Sequence, residues 1–311
     1  MKIGLYTDSL AHLPFEAMLD WCAANDLESV EIGTGNFSPS PHANLANLLA
    51  SSAARSEFLG AVARRGLQLS AFNCSGNVLD GNLERRSRSQ QVFYDTVKLA
   101  EALGIPRVVA MSGCPGEGSP TGKFPNWVTS TWQPEYQELL AWQWKEEVEP
   151  FWRAAARATQ DHGVRIAIEM HPGQAVYNPD TLQRLLQVTG AAVGANLDPS
   201  HLFWQGIAPV RVVQALGAAI YHVHIKDCWI DQEEMALNGG LDNRLRGARS
   251  WEHCIPGKGH DEQFWREFVR SVRLSGYEGD LSIEYAGPHA EVETGIKASV
   301  RLLRQFTDPS Q

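Results

Sequence analysis

Short runs rich in Val, Ile and Leu recur along the chain. Each is followed by a longer stretch in which apolar residues return every three or four positions. The short runs are KIGLY (2–6), ESVEIG (28–33), LQLSAFN (67–73), PRVVAMS (106–112), VRIAIEM (164–170), AVGANLD (192–198), AIYHVHI (219–225) and DLSIEY (280–285). Apolar runs of this length predict strands buried on both faces, and the longer period predicts amphipathic helices. Gly66, Gly104, Gly163, Gly190 and Gly276 each close a helical stretch just before the next strand, where a left-handed cap is expected.

Eight strands alternating with eight helices predict a single α/β domain over 1–311, a closed (β/α)8 TIM barrel, with 306–311 as a frayed tail. A doubly wound dinucleotide fold would place glycines in the first strand–helix turn, but that turn reads TDSLAHLP. Two connections are too long for simple turns: 113–133 after the fourth strand and 226–260 after the seventh. Both leave C-terminal strand ends, the side on which barrel enzymes carry their sites.

Composition narrows the partners. Across 311 residues, 27 Lys and Arg face 36 Asp and Glu, a net charge of −9, which argues against a nucleic-acid or membrane-surface binder. Five cysteines without a C-x-x-C pair fit a reduced compartment rather than a disulfide or zinc framework. The start MKIGLYTDSL has no leader-like apolar segment, and no stretch is long and apolar enough to span a bilayer, so a cytoplasmic location is expected. Ten tryptophans exceed what a core of this size needs.

Four consecutive strands end in polar residues of one chemical kind. The fifth gives Glu169, the sixth Asp198 and then His201, the seventh His222 and His224, and the eighth Glu284. Singly, each has a plain reading as a cap, a turn residue or a hydrogen-bonded core histidine, and for His222 that reading is preferred. Together, two glutamates and an aspartate ending neighbouring strands would be costly unless a cation balanced them. A divalent ion bound by Glu169, Asp198, His224 and Glu284 removes the cost. Three oxygens and one nitrogen suit Mn²⁺, with Mg²⁺ or Co²⁺ next, ahead of Zn²⁺.

These strand ends, with the blocks SGCPGEG, FPNWV, IEMHPG, ANLDPSHLFWQGI, HVHIKD, PGKGHDEQFW and GYEGDLSIEY, resemble the xylose-isomerase-like TIM barrels of the sugar phosphate isomerase/epimerase superfamily. The resemblance covers essentially the whole chain. It implies that Glu169 and Glu284 serve both as metal ligands and as the acid/base pair, that Asp198 and His224 are ligands only, and that His201 contacts a substrate hydroxyl. Lys226, Trp127 and Asn73 are taken as further substrate contacts and His171 as an additional base. Ketose epimerases of the superfamily carry an Arg shortly after the strand-seven His, where this chain reads Lys226, Asp227, Cys228, Trp229, Ile230. Endonuclease IV needs further histidines on strands three and four, where Asn73 and Ser112 stand.

The function implied is a metal-dependent isomerase or epimerase that removes a proton next to the carbonyl of an unphosphorylated keto-sugar. The alternative is a lyase that cleaves 3-oxo-glycosides or C-glycosides by β-elimination, with a small accessory subunit; a non-catalytic sugar-binding barrel ranks below both. Homo-oligomerisation is expected. Trp127, Trp132, Trp204, Trp229 and Trp251 offer flat faces for a substrate ring, whereas Trp142, Trp144 and Trp152 are expected to pack or oligomerise a helix. Arg244, Arg246 and Arg249, with Lys226, read as a solvated loop before a phosphate site.

Overall fold

The computed structural model describes residues 1–118, 122–285, 287 and 291–307. Its strands are β1 (Lys2–Tyr6), β2 (Ser29–Gly33), β3 (Gln68–Asn73), β4 (Arg107–Met111), β5 (Arg165–Glu169), β6 (Val193–Leu197), β7 (Ile220–Ile225), β8 (Asp227–Ile230), β9 (Trp251–Cys254) and β10 (Asp280–Ile283). Eight of them close a barrel in the order β1-β10-β7-β6-β5-β4-β3-β2, with β8 and β9 forming a separate two-stranded sheet. The (β/α)8 expectation holds, and each predicted strand lies within two residues of its expected limits.

Contacts divide the chain into two compact units. The first comprises Met1–Glu31, Gly60–Ser70 and Leu197–Gln311. In it β10 pairs in parallel with β1 (Leu5↔Ile283) on one side and with β7 (Ser282↔His224) on the other. Ile3, Leu5, Val223, Ile225, Leu281 and Ile283 have no exposed surface, as runs apolar on both faces require. The helix Val292–Thr307 continues two residues into the expected tail, and both Phe306 and Thr307 are buried. Residues 308–311, the rest of that tail, lie outside the described residues.

The second unit comprises Ile32–Leu59 and Ala71–Asn196. Here β4 pairs with β5 (Met111↔Glu169), and β5 with β6 (Glu169↔Asn196). The helix Leu83–Leu103 ends on Gly104, whose φ of 68° lets its amide turn back onto the carbonyls of Ala100 and Glu101. The long helical pattern from 134 to 161 contains one π-helical turn, Gln143–Val148, between the helices Pro134–Trp142 and Glu149–Asp161. That turn points Gln143 Nε2 at the carbonyls of Pro115 (3.3 Å), Gly116 (3.0 Å) and Asn126 (2.8 Å), pinning the connection after β4. Trp144 and Trp152 are buried, and Trp152 Nε1 donates to the Ser112 carbonyl at 2.9 Å, so these two rings serve packing.

The connection after β7 is more ordered than a loop. β8 and β9 pair antiparallel from Asp227↔Cys254 to Ile230↔Trp251, and the helix Gln232–Asn238 lies between them. Trp251 stacks on Trp204 at 4.3 Å and 5°, while the Arg249 guanidinium covers it at 3.6 Å. Both faces of Trp251 are therefore occupied, which corrects its assignment to a substrate ring. Among the described residues no helix is long and apolar enough to cross a membrane.

Candidate functional site

In the first unit the ends of β6, β7 and β10 deliver Asp198, His224 and Glu284 to one place. Asp198 and Glu284 immediately follow Leu197 and Ile283, the last residues of their strands, and His224 is the penultimate residue of β7. One donor atom from each lies within 4.8 Å of the others. His224 Nδ1 is 3.1 Å from Glu284 Oε2. Lys226, two residues on along the same chain direction, reaches Asp198 Oδ2 at 2.8 Å and Glu284 Oε2 at 2.7 Å. Its side chain is only 4% exposed, so the solvated-loop reading of Lys226 is wrong. It is the internal counter-ion of two carboxylates.

That arrangement sets the protonation states. Burial alone would push Asp198 up, but the charges of Lys226, His201 and His224 hold it well below the usual carboxylate range. Glu284 follows the same logic: burial opposes, Lys226 and His224 prevail, and its pKa falls to about 2. Both groups are anionic at neutral pH. His201, on the short helix Ser200–Phe203, is buried, with Nε2 3.3 Å from Asp198 Oδ2.

Behind His224 stands a residue the sequence did not single out. Glu31 of β2 is fully buried and its Oε2 lies 2.8 Å from His222 Nε2, 2.9 Å from His224 Nε2 and 2.7 Å from the Ser282 hydroxyl that donates to it. Burial pushes its pKa up, yet the charges and hydrogen bonds of His224 and His222 hold it well down. A carboxylate can only accept, so both imidazoles carry a proton on Nε2. Nδ1 of His224 faces Glu284 Oε2 at 3.1 Å and by the same reasoning donates to it, so a cation bound at Nδ1 would take the place of that proton. A carboxylate that orients a histidine by accepting its Nε2 proton is a recurrent device. Glu31 sits between Val30 and Ile32, and a charge inside an apolar strand was the available signal. The preference for a hydrogen-bonded role at His222 agrees with its contact to Glu31.

Asp227 was also missed. It is fully buried, and its Oδ2 accepts from the backbone amides of Gly257, Gly259 and His260, each at 3.0 Å, while Oδ1 meets His260 Nδ1 at 2.7 Å. A Cβ on Gly259 would stand 2.2 Å from the Cys228 carbonyl oxygen, so the PGKGH turn can approach only as glycine. This clamp fixes the end of the β8–β9 hairpin.

The other expected residues lie in the second unit. Glu169, the last residue of β5, is buried and accepts from Asn196 Nδ2 at 3.3 Å. Asn196 is its strand partner and precedes Asp198 by two positions. His171 Nδ1 meets the Pro172 carbonyl at 2.6 Å, which places a proton on Nδ1. Asn73 is buried, with Oδ1 accepting the Ser75 amide at 2.9 Å. Trp127 stands edge-on to Tyr177 at 5.3 Å. It lines a cavity of about 160 Å³ with Cys114, Leu140 and Trp144.

A (β/α)8 barrel whose strand ends present buried carboxylates beside an imidazole is the class these features define. The chain belongs to the xylose isomerase-like TIM barrel family, whose profile matches residues 19–306. It is 43% identical to the uncharacterized protein YfiH of Bacillus subtilis (strain 168), over 98% of this chain and 99% of that one. It is 26% identical to an inosose dehydratase of Clostridium beijerinckii, over 41% of this chain and 42% of that one. Among solved structures, the IolI protein with a bound zinc atom superposes with a TM-score of 0.66 at 17% identity, covering 99% of this chain and 100% of that one, a likeness of fold. The family includes sugar-processing enzymes.

Proposed function

We propose that this protein is a metal-dependent isomerase or epimerase that removes a proton from the carbon beside the carbonyl of an unphosphorylated keto-sugar. The observation that carries the reading is the set Asp198, His224 and Glu284, two anionic carboxylates grouped with an imidazole whose Nδ1 is turned toward Glu284 while its Nε2 is held by Glu31. Glu169 is proposed as the fourth ligand, completing a grouping of the kind that holds a cation. Three carboxylates and one imidazole fit a hard divalent ion, Mn²⁺ before Mg²⁺ or Co²⁺. Such an ion would supply Lewis-acid stabilisation of the negative charge that develops on the carbonyl oxygen.

The chain's own groups do the rest. Glu169 and Glu284 take up and return the carbon-bound proton, while the C–H electron pair moves toward the carbonyl. Return to the opposite face gives an epimer, and return to the neighbouring carbon gives an isomer. Lys226 and His201, both donors beside Asp198, bind substrate hydroxyls. Asn73 and Trp127 are proposed as further substrate contacts and His171 as an additional base.

The test is deuterium uptake next to the carbonyl when protein, Mn²⁺ and a panel of keto-sugars are incubated in D₂O. Glu169→Gln and Glu284→Gln should each lower exchange at least about a hundredfold and lower bound metal. Full metal content and full exchange in both variants would overturn the site.

The inosose dehydratase match favours a second reading, β-elimination from the same enolised intermediate. Loss of water from an inosose, or aglycone release from a 3-oxo-glucoside, without an epimeric product would select it.

A further inference from the structure

β9 carries a histidine that none of the foregoing uses. The ring of His253 stands edge-on to His201, with centroids 5.0 Å apart at 83°, and leans on Trp251 at 5.2 Å and 53°. His201 in turn touches Asp198. His253 Nε2 is buried and has no hydrogen-bond partner among the described residues. In either tautomer that nitrogen has one function to satisfy, a proton to donate or a lone pair to fill. Buried polar atoms in native proteins are nearly always paired, so one that is not points to something outside the chain that completes it.

The electrostatic surroundings say where that something sits. Lys226, His201, Asp198 and Glu284 all act on His253. Burial and the first two of these charges hold it well below the usual histidine range, so the imidazole is neutral at physiological pH. A neutral imidazole beside a carboxylate–lysine cluster suits a hydroxyl group, which can both give and accept a proton.

We propose that His253 Nε2 hydrogen-bonds a hydroxyl of the polyhydroxylated substrate, alongside His201, and thereby selects the hydroxyl pattern that the site accepts. The proposal rests on the enolisation reading above. It adds a specificity contact supplied by the β8–β9 hairpin rather than by a barrel strand.

The experiment uses the full chain loaded with Mn²⁺ and the same D₂O exchange assay, run as a concentration series for each keto-sugar that exchanges. His253→Phe keeps a flat ring against His201 and Trp251 but removes the nitrogen; His253→Gln keeps a hydrogen-bonding end. The expected result is a KM raised about tenfold or more in His253→Phe, with kcat within about threefold. Metal content should be unchanged and KM partly restored in His253→Gln. An unchanged KM in His253→Phe with active wild type overturns the assignment and leaves the enolisation reading intact. Loss of bound metal in His253→Phe also overturns it, because the residue would then act through the ligands. Wild type silent toward every sugar overturns the enolisation reading itself, and the contact with it.

Discussion

Lys226 Nζ lies 2.7 Å from Glu284 Oε2, at the distance of a charge-assisted hydrogen bond. The same ammonium serves Asp198, so one side-chain cation balances two anions in the place where a divalent ion is proposed. Lys226→Met should therefore destabilise the metal-free protein by about 3 kcal/mol, the low end for a buried pair because Glu284 keeps some contact with solvent. Added Mn²⁺ should recover a larger share of stability in the variant than in wild type. Thermal unfolding in chelator and then in Mn²⁺ measures both; a variant as stable as wild type without metal would show that the ammonium is dispensable.

Glu31 accepts the Nε2 proton of His224, so Nδ1, 3.1 Å from Glu284, is the nitrogen that would give up its proton to a bound cation. Glu31→Gln replaces an obligate acceptor with an amide that can also donate, loosening that choice. Metal affinity should fall by roughly 10–100-fold, read by competition with a fluorescent chelator, while the far-ultraviolet spectrum stays that of a barrel. Equal affinity in wild type and variant would remove Glu31 from the metal site.

The carboxylates fix the response to acid. Glu31, Asp198 and Glu284 have pKa values lowered in the folded state, so their contribution to stability is fully present above the unfolded value and is lost as pH falls. For Glu284 the window runs from the unfolded value of 4.5 down to about 2. Calorimetry on metal-free protein should show a melting temperature that is steady just above that window and falls through it. Glu284→Gln should make the fall shallower.

Thiol chemistry should be silent in the native state. Burial pushes Cys22, Cys74, Cys114 and Cys254 up to about 12, and Cys228 is raised as well. Almost no thiolate exists at pH 8, so iodoacetamide should label none of the five in the folded protein and all five in denaturant. Rapid labelling of one thiol in native protein would locate a segment that opens.

The barrel was readable because its strands are apolar on both faces and its helices end on glycine; neither signal depends on distant parts of the chain. β8 and β9 were not, since four-residue strands with mixed exposure carry no period to detect. Asp198, His224 and Glu284 could be singled out because each stands at or beside a strand end, where apolar pattern gives way to polar. Lys226 was misjudged for the opposite reason: its burial depends on Asp198 and Glu284, which are 28 and 58 positions away. Trp251 looked available in a loop, but the stacking of Trp204 and Arg249 upon it follows from the hairpin, which the sequence did not announce.

The hairpin has an evolutionary consequence. Its first strand starts at Asp227, directly after Lys226, and its second carries His253, while the Asp227 clamp closes the excursion before the helix Glu262–Leu274 resumes the barrel. Insertions and deletions between Ile230 and Trp251 can therefore accumulate without moving a barrel strand. Exchanging this one segment would reshape the flank that carries His253 while leaving Asp198, His224 and Glu284 on their strand ends.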